Sequence, residues 1–393
     1  PLLSDDALRY RHDGRMWLSG QSPYAQRPSE FDPALRDSID RVLPYPDFHT
    51  IYLPTSQLVF VTTRAMEDRL PTQPRINQSW RDGAAALPWA HQLLIWRIVM
   101  AGFLVGGTWF LINTLILIGR SPWWAPIFAW HPLTTIEIGA MAHQDVIGVS
   151  LLLATIYAFT FARTRATRSF SAARSAGVLL GLAVGVKPLA ILVAPFWLIR
   201  YGGRGWLGPL IVTLLLLASV FLFQNGYAGF GETLANYTQK WEANGSLFHV
   251  LRTQVTAYWK GGYNFGPQEI ARGVGVTVVA MMALVLVNVR ARWESALYTL
   301  LTLGLLVAPV VYPWYLLWPL AIVPLLARGG LTILVFASTS TLSYHLWRTP
   351  DWIMPWPWLA AEYGPVYAAL LWETILELRG LKCESPIVAN RQR

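Results

Sequence analysis

One cysteine, Cys383, occurs in 393 residues, which excludes an internal disulfide framework. Charge is scarce as well: 13% of residues are Asp, Glu, Lys or Arg, against roughly 25% in soluble domains. No P-loop, zinc-ligand spacing or glycine-rich dinucleotide turn occurs, and the seven histidines are scattered. Nucleotide-binding folds and structural zinc sites therefore have no support. Internal repeats, low-complexity tracts and a signal-peptide pattern are also lacking. The first residue is Pro1 and the opening segment is polar; the expectation is that a first transmembrane helix precedes it.

What the chain has instead is apolar length. Hydrophobic residues make up 54% of it, in runs such as Trp206–Phe223, Val274–Val287 and Leu331–Ala337. About 18–20 apolar residues span a bilayer as a helix, because every backbone polar group must bond internally there. Tryptophan and tyrosine gather at the ends of the runs, as in Trp123-Trp124 and Tyr312-Pro313-Trp314-Tyr315, where an aromatic belt belongs. The expected fold class is all-α, a polytopic integral membrane helical bundle with a large extracytoplasmic first loop.

Formal net charge is +9. In such a chain a basic excess reads as loop charge on the cytoplasmic side, so the expected partner is the lipid bilayer and not nucleic acid. Arg163, Arg165, Arg168 and Arg174 form the clearest inside loop, with turns at Arg120, Arg200/Arg204, Arg290/Arg292 and Arg328 and the tail after Arg379. Segments 1–54 and 225–268 and the turn at Asp351 are mixed or acidic and belong outside. Spans at about 93–118, 121–139, 145–162, 206–224, 270–289, 294–311, 312–327, 331–347 and 357–379 then alternate. Residues 55–66 and 176–199 do not fit as simple crossings and read as re-entrant or broken helices lining a cavity. The organisation is an extracytoplasmic loop over 1–92, a transmembrane domain over 93–379 with an outer loop at 225–268, and a cytoplasmic tail at 380–393, in a multi-pass protein of the cytoplasmic membrane.

Polar islands interrupt this apolar body. The first is Ser4-Asp5-Asp6, followed by Arg9, Tyr10, Asp13, Gly14 and Arg15. Ser4 suits an N-cap, first-turn acids complement the helix dipole, and Asp5 stands four residues before Arg9. That is a sufficient structural reading. Neighbouring helical side chains also point about 100° apart, so one carboxylate can accept a proton while the other orients a cation. Adjacent carboxylates are compatible with Mg²⁺ or Mn²⁺ without demanding either.

This island, with Gly20, Pro23-Tyr24, Ile51-Tyr52 and Pro54 after it, resembles the first extracytoplasmic loop of bacterial GT-C glycosyltransferases, in particular the polyprenol-phosphate-mannose-dependent mannosyltransferases. Leu8, His12, Ser22 and Leu53 depart from that pattern. The resemblance implies that Asp5 or Asp6 is the catalytic base. It also draws in the later islands: Glu137 with His143 and Asp145, Lys187-Pro188, and Trp241 with Asn244. His131 and Ala142 stand where the family usually has Asn and Gly.

The reaction implied is transfer of a hexosyl residue, mannosyl by the resemblance, from a polyprenyl-phosphate sugar to a lipid or glycan acceptor on the extracytoplasmic face, inverting the anomeric carbon. Arg9, Lys187, Arg252 and His143 are the candidates to meet the donor phosphate. Tyr10, Asp13, Arg15, Tyr24, Tyr52, Glu137, Asp145, Trp241 and Asn244 are the candidates for substrate contact. Two other classes fit the composition: a secondary transporter, with broken helices and buried charge near the midplane, and a non-catalytic membrane partner subunit in which Asp5 and Asp6 only cap a helix.

Overall fold

The computed structural model describes residues 3–35, 43–69, 93–164, 169–223, 227–261, 265–349 and 354–383. Arg165, Arg168, Asp351 and most of the tail after Arg379 lie outside them. The described residues are helical, joined by turns, with two isolated β-bridges, both to Val310.

Two amphipathic helices come first, α1 (Asp6–Leu18) and α2 (Pro54–Asp68). They cross where Gly14 faces Phe60: a β-carbon on Gly14 would stand 2.5 Å from the Phe60 carbonyl oxygen and 2.9 Å from Arg64 Cβ. Both atoms belong to the α2 scaffold, so Gly14→Ala has to part the helices. Overpacking of this kind costs about 1–3 kcal/mol. A lowered thermal midpoint in detergent, with secondary structure retained, is the expected result. The pair is also clamped by charge: buried Glu67 accepts from Arg11 Nε at 2.9 Å and from Arg64 Nη1 at 2.9 Å.

The bundle follows. Helices α3 (Leu94–Leu117), α4 (Asp145–Thr164) and α10 (Pro267–Asn288) are long and apolar enough to cross a membrane. The pair α7 (Leu207–Phe223) and α8 (Tyr227–Lys240), bent by 105°, passes the same test when taken together. Shorter apolar helices are α5 (Phe170–Val184), α6 (Ala194–Tyr201), α11 (Trp293–Val307), α12 (Leu317–Ile322) and α13 (Leu331–Thr339); α9 (Leu247–Tyr258) lies between α8 and α10, and α14 (Trp356–Cys383) closes the chain. Helix α4 is the core: 78% of its apolar window is buried, against 11% for α10. The outer faces are apolar, with Phe223 83% and Val276 71% exposed. Water does not tolerate so large an apolar surface, whereas a bilayer covers it.

Several runs that read as single spans are broken, and proline is the cause. Proline lacks the N–H that a continuing helix needs and favours the first turn of a new one. The run 121–139 divides into single turns that begin at Pro122, Pro126 and Pro132, then a π-helical turn over Thr135–Ala140. The run 312–327 becomes a 3₁₀ turn at Pro313, the short α12 and a second 3₁₀ turn around Pro324. The expected break in 176–199 is present: α5 ends at Val184, Lys187 is extended, and Pro188 opens a 3₁₀ turn leading into α6.

Candidate functional site

The breaks converge. The backbone N–H of Thr55, in the first turn of α2, donates to the Gly185 carbonyl at 3.0 Å. Ser56 Oγ donates to Gln144 Oε1 at 2.5 Å. The start of α2 is thereby fastened to the break before Lys187 and to the start of α4. On the far side, Ala243 N–H donates to Pro309 O at 2.9 Å and Val311 N–H to Ala243 O at 2.8 Å. That seats the Trp241 segment against Tyr312–Tyr315.

These elements enclose a cavity of about 430 Å³. Asp5, Asp6, Arg9, Tyr10, Tyr52, Asp145, Lys187 and Trp241 line it, eight of the residues expected from sequence, drawn from four separate islands. Its walls are largely aromatic, with Tyr45, Phe48, Tyr237, Tyr312, Trp314 and Tyr315 added. Stacked faces with phenolic hydroxyls suit the C–H faces and hydroxyls of a sugar.

Arg9 does not pair with Asp5. Its Nε donates to Asp13 Oδ1 at 2.8 Å, also an i,i+4 contact, and its Nη2 donates to the Phe48 carbonyl at 2.9 Å. Asp13 is fully buried behind it, taking further bonds from Thr50 Oγ1 at 2.6 Å and Gln57 Nε2 at 2.9 Å. Asp13 thus aims Arg9, and Asp5 and Asp6 remain on the cavity wall. Asp5 is the N-cap residue of α1, but its side chain caps nothing, and Ser4 Oγ accepts the Asp6 N–H at 3.3 Å.

Asp6 is desolvated and close to like charge. Burial first, then Asp5 and Asp145, push its carboxyl up to about 7, with Lys187 opposing. Burial also raises Asp5. A carboxyl tuned near neutrality in a cavity is the usual mark of a proton acceptor.

Lys187 Nζ donates to Asp145 Oδ1 at 2.7 Å and lies 3.8 Å from the centre of the Tyr315 ring. Asp145 also accepts Trp318 Nε1 at 2.8 Å. Room for that indole comes from Gly148, one turn along α4, where a β-carbon would meet the Trp318 ring at 2.6 Å. Tyr315 in turn shares a 2.5 Å hydroxyl contact with Tyr237.

The remaining predicted residues sit elsewhere. His143 is buried behind the cavity wall, its ring stacked on Trp314 at 3.9 Å, with Nδ1 3.7 Å from Asp6 and Nε2 3.4 Å from Glu137. Glu137 is fully buried and accepts the Tyr344 hydroxyl at 2.7 Å. Ala142 has a left-handed backbone, φ 59°, the conformation glycine adopts without cost. Arg15 donates to the Leu35 carbonyl at 2.9 Å, and the Tyr24 hydroxyl to the Tyr52 carbonyl at 2.8 Å. Asn244 donates to Glu362 at 2.8 Å, and Arg252 to Glu242 at 2.7 Å. None of these lines the cavity. Among the described residues no group of three or more His, Cys, Asp or Glu is arranged to hold a metal ion.

Cavity residues beyond the expected site set include Gln144, Tyr237, Tyr312, Trp314 and Tyr315. Aromatics at a span end read as belt, since composition there does not distinguish a ring facing lipid from one facing a cavity. Glu362, within a predicted span, carried the signal of an intramembrane acid.

No family profile matches the chain, and no solved structure does. The chain is similar to a curated protein of Mycobacterium tuberculosis (strain ATCC 25618 / H37Rv), alpha-(1->6)-mannopyranosyltransferase A, at 24% identity over 420 residues that take in 99% of this chain and 74% of that protein.

Proposed function

We propose that this chain is a membrane glycosyltransferase that moves a mannosyl or related hexosyl residue from a polyprenyl-phosphate sugar to a lipid or glycan acceptor, on the extracytoplasmic face and with inversion. The observation that carries the reading is one cavity in which the tuned carboxyl of Asp6 lies within electrostatic reach of Lys187 between aromatic walls. Near full-length similarity to a mannosyltransferase supports the sugar class.

Asp6 takes the proton of the acceptor hydroxyl as that oxygen attacks the anomeric carbon. The bond from that carbon to the phosphate oxygen breaks on the opposite face, and the pair of electrons leaves with the lipid phosphate. The phosphate gains charge in the transition state. Lys187 and Arg9, both held in place by carboxylates, are the cations set to meet it. A phosphate departs without protonation, so a single base suffices. The aromatic rings hold the sugar and exclude water, which would otherwise compete as acceptor. A first outer loop carrying the acids supports transfer over transport, whose sites sit at the midplane between repeats.

The test is transfer of radiolabelled mannose from polyprenyl-phosphate mannose in membranes expressing the protein, against Asp5→Asn/Asp6→Asn. Label should move to a membrane glycan or lipid with the unaltered chain only. No transfer from this or other polyprenyl-phosphate sugars would overturn the reading.

The pH dependence follows from Asp6. Its basic form is present above its pKa and lost as pH falls through it. Transfer (kcat/KM) is therefore expected to hold above about pH 7 and to drop tenfold per unit on the acid side, unlike the flat profile of a carboxylate titrating near 4. A profile level down to pH 5 would remove Asp6 from the role of base.

A further inference from the structure

A second cavity, of about 370 Å³, lies at the far end of α4. Asp145, at the start of α4, lines the first cavity, and Arg163, in its last turn, lines the second. At 1.5 Å per residue they are about 27 Å apart, close to the thickness of a bilayer core. This is the end of the bundle that the arginine pattern assigns to the cytoplasm.

Three helices each bring one arginine here: Arg163 from α4, Arg200 from α6, and Arg292 at the N-cap of α11. One acid, Glu294, lines the same cavity and is taken by Arg292 Nε at 2.7 Å. Arg163 and Arg200 have no carboxylate partner among the described residues; Arg163 Cζ lies over the Tyr201 ring, 4.0 Å from its centre. Each of these two sits in the last turn of its helix, where a cation complements the dipole. That accounts for them singly but not for their meeting around a void with two positive charges in surplus. The rim holds an exposed aliphatic side chain, Ile118, which lines the cavity at 42% exposed; Leu198 and Ile199, exposed in the same last turn as Arg200, lie outside the lining.

We propose that this pocket binds the phosphodiester headgroup of an anionic bilayer phospholipid. The guanidinium groups of Arg163 and Arg200 take the phosphate oxygens, where planar forks bond best. Phe159, Tyr201 and Trp293 cover the glycerol region, and the acyl chains leave over the exposed aliphatic rim. The rim favours a lipid over a soluble phosphate, which would leave that apolar surface bare.

The experiment uses the whole purified chain in mixed micelles. Native mass spectrometry and thermal unfolding compare phosphatidylglycerol with phosphatidylcholine, and, in a lipid-free arm, inorganic phosphate. The unaltered protein should retain phosphatidylglycerol about tenfold better than phosphatidylcholine, with a raised thermal midpoint. Arg163→Gln/Arg200→Gln should lose that preference. Arg174→Gln/Arg204→Gln, which removes the same charge from exposed positions outside the pocket, should keep it. Equal retention of the two lipids by the unaltered protein, or equal loss in both double variants, overturns the proposal. A midpoint raised as much by inorganic phosphate alone overturns it in favour of a soluble anion.

Discussion

Asp6→Asn should lower transfer by about a thousandfold, within the span a positioned general base supplies, while Asp5→Asn lowers it by about tenfold or less. The two carboxylates are neighbours in sequence, yet their surroundings differ. Asp6, in the first turn of α1, stands 3.7 Å from His143 Nδ1 and within electrostatic reach of Lys187, with Asp5 and Asp145 among the charges that raise it. Asp5 is the residue before the helix and is raised mainly by its own burial. An amide at position 6 keeps the shape of the carboxyl and loses its basicity. The separation goes further than rate. Asp5 is one of the charges that raise Asp6, so in Asp5→Asn the remaining base is more acidic and the acid limb of the profile moves below pH 7. A thousandfold loss at position 5 with little loss at position 6 would exchange the roles, and parity of both variants with the unaltered protein would favour the non-catalytic reading.

Much of this site was legible because its parts sit where apolar runs stop. A membrane chain concentrates polar residues at run ends, and the helices of a bundle bring those ends together. Asp5-Asp6, Asp145 and Trp241 stand out for that reason, and Lys187 as a charge beside proline in the middle of the run 176–199; all of them share one cavity. What escaped was pairing across sequence. Arg9 has acids at both i−4 and i+4, and the choice of Asp13 is made by Thr50 and Gln57, which arrive from 37 and 44 residues beyond Asp13 to complete that carboxylate's shell. Glu137 bonds Tyr344, 207 residues on, and Asn244 bonds Glu362, 118 residues on. No local pattern foretells such partners. The proline breaks were present in the sequence but outweighed by average hydropathy, which is blind to a missing N–H. As a result 121–139 reads as one helix although each of its three prolines opens a new turn.

Lys187→Met is expected to damage both stability and transfer, and Lys187→Met/Asp145→Asn to repair only the first. Asp145 is 2% exposed in its side chain and relies on two donors, Lys187 Nζ and Trp318 Nε1. Removing the lysine leaves a buried carboxylate short of its counter-charge, a loss of about 3–5 kcal/mol in comparable sites, read as a lowered thermal midpoint in detergent. Neutralising Asp145 as well removes the unpaired charge, and the amide oxygen that replaces it still accepts from the indole, so most of the midpoint should return. Transfer should not, because in the proposed mechanism one of the two cations that meet the departing phosphate is gone in both variants. The pH profile reports the same charges acting on Asp6. Lys187 lowers the Asp6 carboxyl and Asp145 raises it, so the single variant should move the acid limb above pH 7, while in the double variant the two changes oppose and the limb stays near 7. If the double variant recovers transfer together with stability, Lys187 serves only to neutralise Asp145, and the phosphate must be met by Arg9 alone.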